Sequence, residues 1–238
     1  MSSRISVRDL SKRYGTVDAL RLDALDVQPG ERVGLVGNNG AGKTTLLRCA
    51  LDLIAPTTGH VEIDGVRVGG SDLGWKASVG AYLDAGFLVD YLRPLEYFRL
   101  VGGAYGMSPA EVDAAVEQHA DFLGAATEGG RLIRDLSLGN AGKVGIVGAL
   151  LPSPGLVVLD EPFANLDPGA RLRLERTLAE SGATVLVSSH DLDHVVGVCS
   201  RVLVLAEGHV VRDTPSTPDT LAELRGFFAS GGVEAVAA

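Results

Sequence analysis

A nine-residue run, GNNGAGKTT at residues 37–45, follows directly on the apolar stretch 32–36 and leads directly into the helix-periodic stretch 43–53. That order constrains the fold strongly. A strand that ends in a glycine-rich turn and passes at once into a helix is the opening of a strand–helix crossover, the unit from which parallel sheets are built. Gly37, Gly42, Lys43 and Thr44 meet the pattern G-x-x-x-x-G-K-[S/T], with Asn38, Asn39, Gly40 and Ala41 inside it and Thr45 after it. Glycines let such a backbone curl its N–H groups around phosphate, and the helix adds its positive end. Lys43 would reach the β and γ phosphates and Thr44 would ligate Mg²⁺. The loop implies a nucleoside triphosphate and leaves the reaction open.

The remaining runs extend this picture. Short runs at 5–7, 22–27 and 61–63 are bounded by turn residues and predict an antiparallel section early in the chain. The runs 32–36, 79–83, 156–159, 184–187 and 202–205 are continuously apolar, as strands covered on both faces are. Helical periodicity is clearest at 43–53, 110–123, 141–151 and 170–179. The expected fold is therefore α/β, with a mainly parallel core sheet, an N-terminal antiparallel section and a helical insertion over 90–151, where no strand-like run occurs. The spacing predicts one domain of 1–238, its core formed by 1–89 and 152–238.

Composition narrows the partners. A formal net charge of −9 opposes general binding to nucleic acid or to an anionic membrane surface. Phosphate must then be held locally, by placed groups. Cys49 and Cys199 have no metal-ligand spacing and suit a reducing compartment, and the uncharged run 144–159 is broken by Pro152 and Pro154, too short to span a bilayer.

A second chemical signal is LVVLDEP, 156–162. A buried-type strand ending in two carboxylates would direct Asp160 at a metal and leave Glu161 to act as base on an attacking water. Upstream of it stands DLSLGNAGKVGIVGALL, 135–151, which resembles the signature segment of ATP-binding cassette (ABC) proteins. The resemblance covers nearly the whole chain: Tyr14 in SKRYG is similar to the aromatic that stacks on adenine, ANLD ending at Asp167 to the D-loop, and SSH ending at His190 to the switch histidine. It implies a P-loop NTPase (RecA-like) fold and ATP hydrolysis with Mg²⁺, using Lys43, Glu161 and His190. It also implies a dimer in which Ser137 and Gly139 meet ATP held by the opposite subunit. From the residues alone, Ser137 would cap a helix whose free N–H groups could face a γ phosphate.

Three positions depart from the family pattern. Asp84 in VGAYLD stands where a glutamine that touches Mg²⁺ is usual, and Leu138 and Asn140 replace the usual glycine and glutamine of the signature. HDLDH, 190–194, carries the two-histidine spacing of a helical zinc site, although His190 also lies where a γ-phosphate sensor belongs. The resemblance implies a peripheral ATPase subunit on the cytoplasmic face of a membrane. It would power a separately encoded integral membrane transporter subunit and pair with a second copy or a homologous cassette. LSLGN, EYF at 96–98 and the C-terminal tail resemble exporter subunits. Two alternatives stay open: a soluble non-transport ABC-type ATPase and a regulatory cassette with little turnover. The aromatics Tyr97, Phe98 and Tyr105 suit partner docking or core equally, and the tail 226–238 is expected to be loose unless Phe227 and Phe228 anchor it.

Overall fold

A computed structural model describes residues 3–229. In chain order the elements are β1 (Ile5–Tyr14), β2 (Val17–Val27), β3 (Arg32–Val36), α1 (Lys43–Ala50), β4 (Thr58–Ile63), β5 (Val66–Arg67), β6 (Val79–Tyr82), α2 (Pro94–Ala104), α3 (Pro109–Gln118) and α4 (Ala120–Leu123). There follow α5 (Leu138–Leu150), β7 (Leu156–Asp160), α6 (Pro168–Glu180), β8 (Thr184–Ser189), α7 (Leu192–Val198), β9 (Arg201–Ala206), β10 (His209–Pro215) and α8 (Pro218–Ala229). The described residues divide into two compact units. One is built from both ends of the chain, up to Lys76 and from Thr184 onward, and the other from 77–183.

In the first unit an antiparallel sheet runs in the order β2-β1-β4-β5. Ile5 and Val7 of β1 alternate inward, and the apolar period then slips to Leu10 because Asp9 takes a left-handed φ of 48°. The pairing of β1 with β4 shifts register at the same place. Gly59 permits the slip, since a Cβ there would lie 2.2 Å from the Asp9 carbonyl oxygen.

The same unit holds β10-β9-β3-β8, with β3 parallel to both neighbours and β10 antiparallel at the edge. Val33, Leu35 and Val36 are fully buried, which accounts for the unbroken apolar run. Val195 of α7 and Cys199 just past its end pack on β3, close enough that a Cβ on Gly34 would overlap Val195. α1 stops at Ala50, earlier than its periodicity predicts, because Asp52 turns left-handed at φ 61° and the Leu53 N–H closes back on the Arg48 carbonyl.

In the second unit β6 lies parallel to β7. Its helices start at side chains that satisfy their first N–H groups: Glu96 accepts from the Arg93 N–H, Ser108 and Glu111 form a reciprocal capping box, and Asp167 accepts from the Ala170 N–H. The helical stretch predicted over 110–123 is two helices, α3 and α4, broken at His119. Burial of Phe122 and Leu123 redirects the chain there without glycine or proline. Phe98 is fully buried, Tyr97 packs against Gly148 and the Tyr105 hydroxyl donates to the Val79 carbonyl at 2.5 Å, so these aromatics serve the core.

At the C-terminal end the structure favours the anchored alternative for the residues it describes. Residues 226–229 complete α8, and the Phe227 ring lies 4.7 Å from the Arg212 guanidinium. The rest of the predicted tail, 230–238, lies outside the described residues.

Candidate functional site

The glycine-rich loop leaves β3 at Val36, which pairs with Ser189 at the end of β8. Parallel register therefore delivers Gly37 and His190 to the same edge of the sheet at the same level. Between β3 and α1 the backbone is left-handed at Gly37, Gly40 and Gly42, with φ of 155°, 83° and 106°. At Gly37 nothing larger fits, since a Cβ would stand 2.3 Å from the Leu205 carbonyl oxygen. Lys43, only 6% exposed, folds back over the loop and donates to the carbonyls of Gly37 at 2.6 Å and Asn38 at 3.3 Å. The Ala41 N–H also donates to Asn38, which closes the turn, while Asn39 and Gly40 are exposed at its tip.

Thr44 and Thr45, both half-buried, stand in the first turn of α1. The N-cap of α1 is Gly42, which offers no side-chain acceptor, and no acidic residue occupies the first turn. The positive end of this helix is thus left for an external anion.

His190 is exposed immediately after β8, and the segment beyond it is fixed. The Asp191 N–H donates to the buried Ser189 hydroxyl, and Asp191 in turn caps α7 by accepting from the Asp193 N–H. His190 lies before this cap and so off the helix, whereas His194 lies within α7 with its Nε2 3.5 Å from Asp191. The two histidines do not share a helix face, which removes the geometry on which the zinc alternative rested. Tyr14 ends β1 and is 48% exposed, with the Lys12 ammonium over its ring 5.2 Å from the centre, an exposed aromatic of the kind on which a flat base can stack.

In the second unit Asp160 is the last residue of β7 and 7% exposed. Tyr82 of β6 pairs with Leu159, so Asp84 emerges two residues beyond the strand at the same edge as Asp160. Asp84 is exposed and spends Oδ1 on the Gly86 N–H at 2.7 Å, capping a short 3₁₀ turn. Glu161 follows with a left-handed φ of 48°. Such a conformation costs a bulky residue about 1–3 kcal/mol and collects at working sites. Sequence reasoning misses this strain, because no glycine or turn pair announces it.

The Ser137 hydroxyl accepts from the Asn140 N–H at 3.3 Å and caps α5, as its position predicts. Leu138 is 70% exposed at this helix start. A Cβ on Gly139 would lie 2.3 Å from the carbonyl oxygen of Asn165 in the ANLD turn, so these two segments touch backbone to backbone. Among the described residues no three His, Cys, Asp or Glu side chains converge as a ready-made metal site.

Residues 20–164 match the family described as ABC transporter. The chain belongs to the ABC transporter ATP-binding proteins. The hemin import ATP-binding protein HmuV of Bordetella avium is 35% identical over 247 residues, covering 97% of this chain and 93% of that protein. The Nod factor export ATP-binding protein I of Cupriavidus metallidurans is 32% identical over 218 residues, covering 90% and 71%. Among solved structures, a dimeric ATP-binding cassette in a post-hydrolysis state with ADP and Pi superposes with a TM-score of 0.78 at 25% identity, covering 90% of this chain and 99% of that one. The cassette has the P-loop NTPase fold and is an ABC ATPase. No helix among its described residues is long and apolar enough to cross a membrane.

Proposed function

We propose that this cassette binds ATP between two copies, or with a homologous cassette, and drives a separately encoded membrane subunit from the cytoplasmic face. Closure would follow ATP binding and reopening would follow hydrolysis. The observation that carries the nucleotide reading is the register of β3 with β8. It brings the glycine-rich loop, with its buried Lys43 and uncapped helix start, level with His190.

In this reading the backbone of Gly37, Asn38, Asn39, Gly40, Ala41 and Gly42, with Lys43, Thr44 and Thr45, holds the triphosphate, and Tyr14 carries the adenine. Lys43 already grips two loop carbonyls and would exchange them for phosphate oxygens. Thr44 and Asp160 would hold Mg²⁺, with Asp84 supplying the oxygen left over from its cap. A hydroxyl and carboxylates are the hard oxygen donors that suit Mg²⁺, which keeps waters and substrate phosphates in its shell. When bound there, Mg²⁺ would offset charge on the β and γ phosphates.

Glu161 would take a proton from the water attacking the γ phosphorus as the bond to the bridging oxygen breaks, giving ADP and Pi. His190 would sense the γ phosphate. Ser137 and Gly139 would meet the nucleotide of the opposite cassette, and 90–151 would form a helical subdomain inserted in the ATPase core of 1–89 and 152–238.

Export is the direction we propose, on the exporter-like segments LSLGN and EYF. Relatives named for import and for export stand at similar identity, so direction rests on those segments alone. The test is to isolate the protein from its native membranes in gentle detergent and to identify by mass spectrometry what accompanies it in stoichiometric amount. A polytopic membrane protein supports the reading. Recovery from the soluble fraction without one contradicts it, and a polytopic partner accompanied by an extracytoplasmic solute-binding protein overturns export.

A further inference from the structure

Helix α5 touches the ANLD turn at two points on one face. Gly139 and Lys143 are four residues apart, so they lie one above the other on the helix. Gly139 closes on the Asn165 carbonyl, and the Lys143 ammonium stands 3.2 Å from Asp167 Oδ2. The Lys143 side chain is only 13% exposed, unlike a lysine on a solvated face. Asp167 is divided between two helices: Oδ1 accepts the Ala170 N–H at 2.9 Å and starts α6, while Oδ2 takes Lys143. The Ala170 N–H and the Lys143 ammonium together hold this carboxyl below its ordinary range.

The turn between β7 and Asp167 is tightly defined. Ala164 N–H donates to the Glu161 carbonyl, Arg171 Nε donates to the Leu166 carbonyl at 3.0 Å, and both Glu161 and Asn165 are held at positive φ. Glu161 therefore sits at one end of a short, strained segment whose other end is fastened to the helix that begins at Ser137.

We propose that Lys143 is a positioning residue that makes the placement of Glu161 depend on the placement of the Ser137–Asn140 helix start, through its ion pair with Asp167. Movement of α5 when a nucleotide engages its N-terminus is then carried to the base along the 161–167 turn. This rests on reading Glu161 as the base and Ser137 and Gly139 as nucleotide contacts.

The test uses the full-length chain with Lys143→Met, Lys143→Arg, Asp167→Asn and the Lys143→Met/Asp167→Asn pair. Asn can still cap α6, so Asp167→Asn removes the charge and spares the cap. Lys143→Met and Asp167→Asn should each lower kcat about tenfold, with KM for ATP within twofold, and the pair should be no worse than either. Lys143→Arg should restore kcat to within about threefold of the wild type.

A readout that needs no turnover is amide hydrogen exchange, which should speed at least fivefold across 161–167 in Lys143→Met and return in Lys143→Arg. Unchanged exchange, multiplying effects in the pair, or a change in KM alone would overturn the proposal. Glu161→Gln separates the two readings. If it abolishes hydrolysis while Lys143→Met does not slow it, this inference alone fails, whereas survival of hydrolysis in Glu161→Gln removes the base assignment beneath it.

Discussion

Replacing Gly139 by alanine tests how far the site depends on one backbone approach. The new methyl carbon would stand 2.3 Å from the Asn165 oxygen, and ordinary contact begins at 3.4 Å, so the start of α5 and the ANLD turn must part by about 1.1 Å. Asn165 offers a backbone atom at this point, with no flexible side chain to swing aside. Overpacking of this kind costs about 1–3 kcal/mol, and exchanging glycine for alanine in a helix returns about 1 kcal/mol. The net destabilisation is about 1 kcal/mol, a fall of about 2–4 °C in Tm for a chain of this size.

The effect on catalysis should be larger, because a displacement of about 1 Å in a reacting constellation can cost about 10²-fold in rate. Steady-state phosphate release by Gly139→Ala should fall about 10²-fold, with affinity for a fluorescent ATP analogue within a few-fold of the wild type. Gly226→Ala is the control. It lies in α8 with no atom within 4 Å of the added carbon, and it should raise Tm. Full activity and unchanged Tm in Gly139→Ala would refute the claim that the two segments are in hard contact.

Three further outcomes are expected. Lys43→Ala removes a charged donor from two loop carbonyls and from the triphosphate, and should weaken ATP binding about 10–100-fold by calorimetry. Glu161→Gly should relieve the left-handed strain and raise stability by about 1 kcal/mol in denaturant unfolding while abolishing hydrolysis. Burial holds the His119 imidazole below its ordinary 6.5, so the unfolded chain takes up the proton first. Its contribution is complete above about pH 6.5 and is lost as pH falls through the lower folded value. His119→Gln should flatten that part of the stability profile.

The buried strands were legible because both their faces are covered. β3 begins and ends where its apolar run does, and β7 and β8 overrun theirs by one residue and two. The loop at Gly37 was equally legible, since glycines at positive φ and a lysine at a helix start have few other uses. β10 carries no such signal, because its HVVRDTP is an edge strand with polar, exposed positions and no apolar alternation. The break at His119 was hidden for the opposite reason: the local pattern favours continuing the helix, and burial of Phe122 and Leu123 overrides it. Local spacing also cannot reveal Lys143, whose partner Asp167 lies 24 residues away.

Whether Glu161 is the base for ATP hydrolysis is read from phosphate release by the purified protein with Mg²⁺, wild type against Glu161→Gln. Release should fall about 10²–10⁴-fold while ATP binding is retained, because glutamine keeps the size of the side chain and loses its proton acceptor. Release within twofold of the wild type, with ATP still bound, would contradict it.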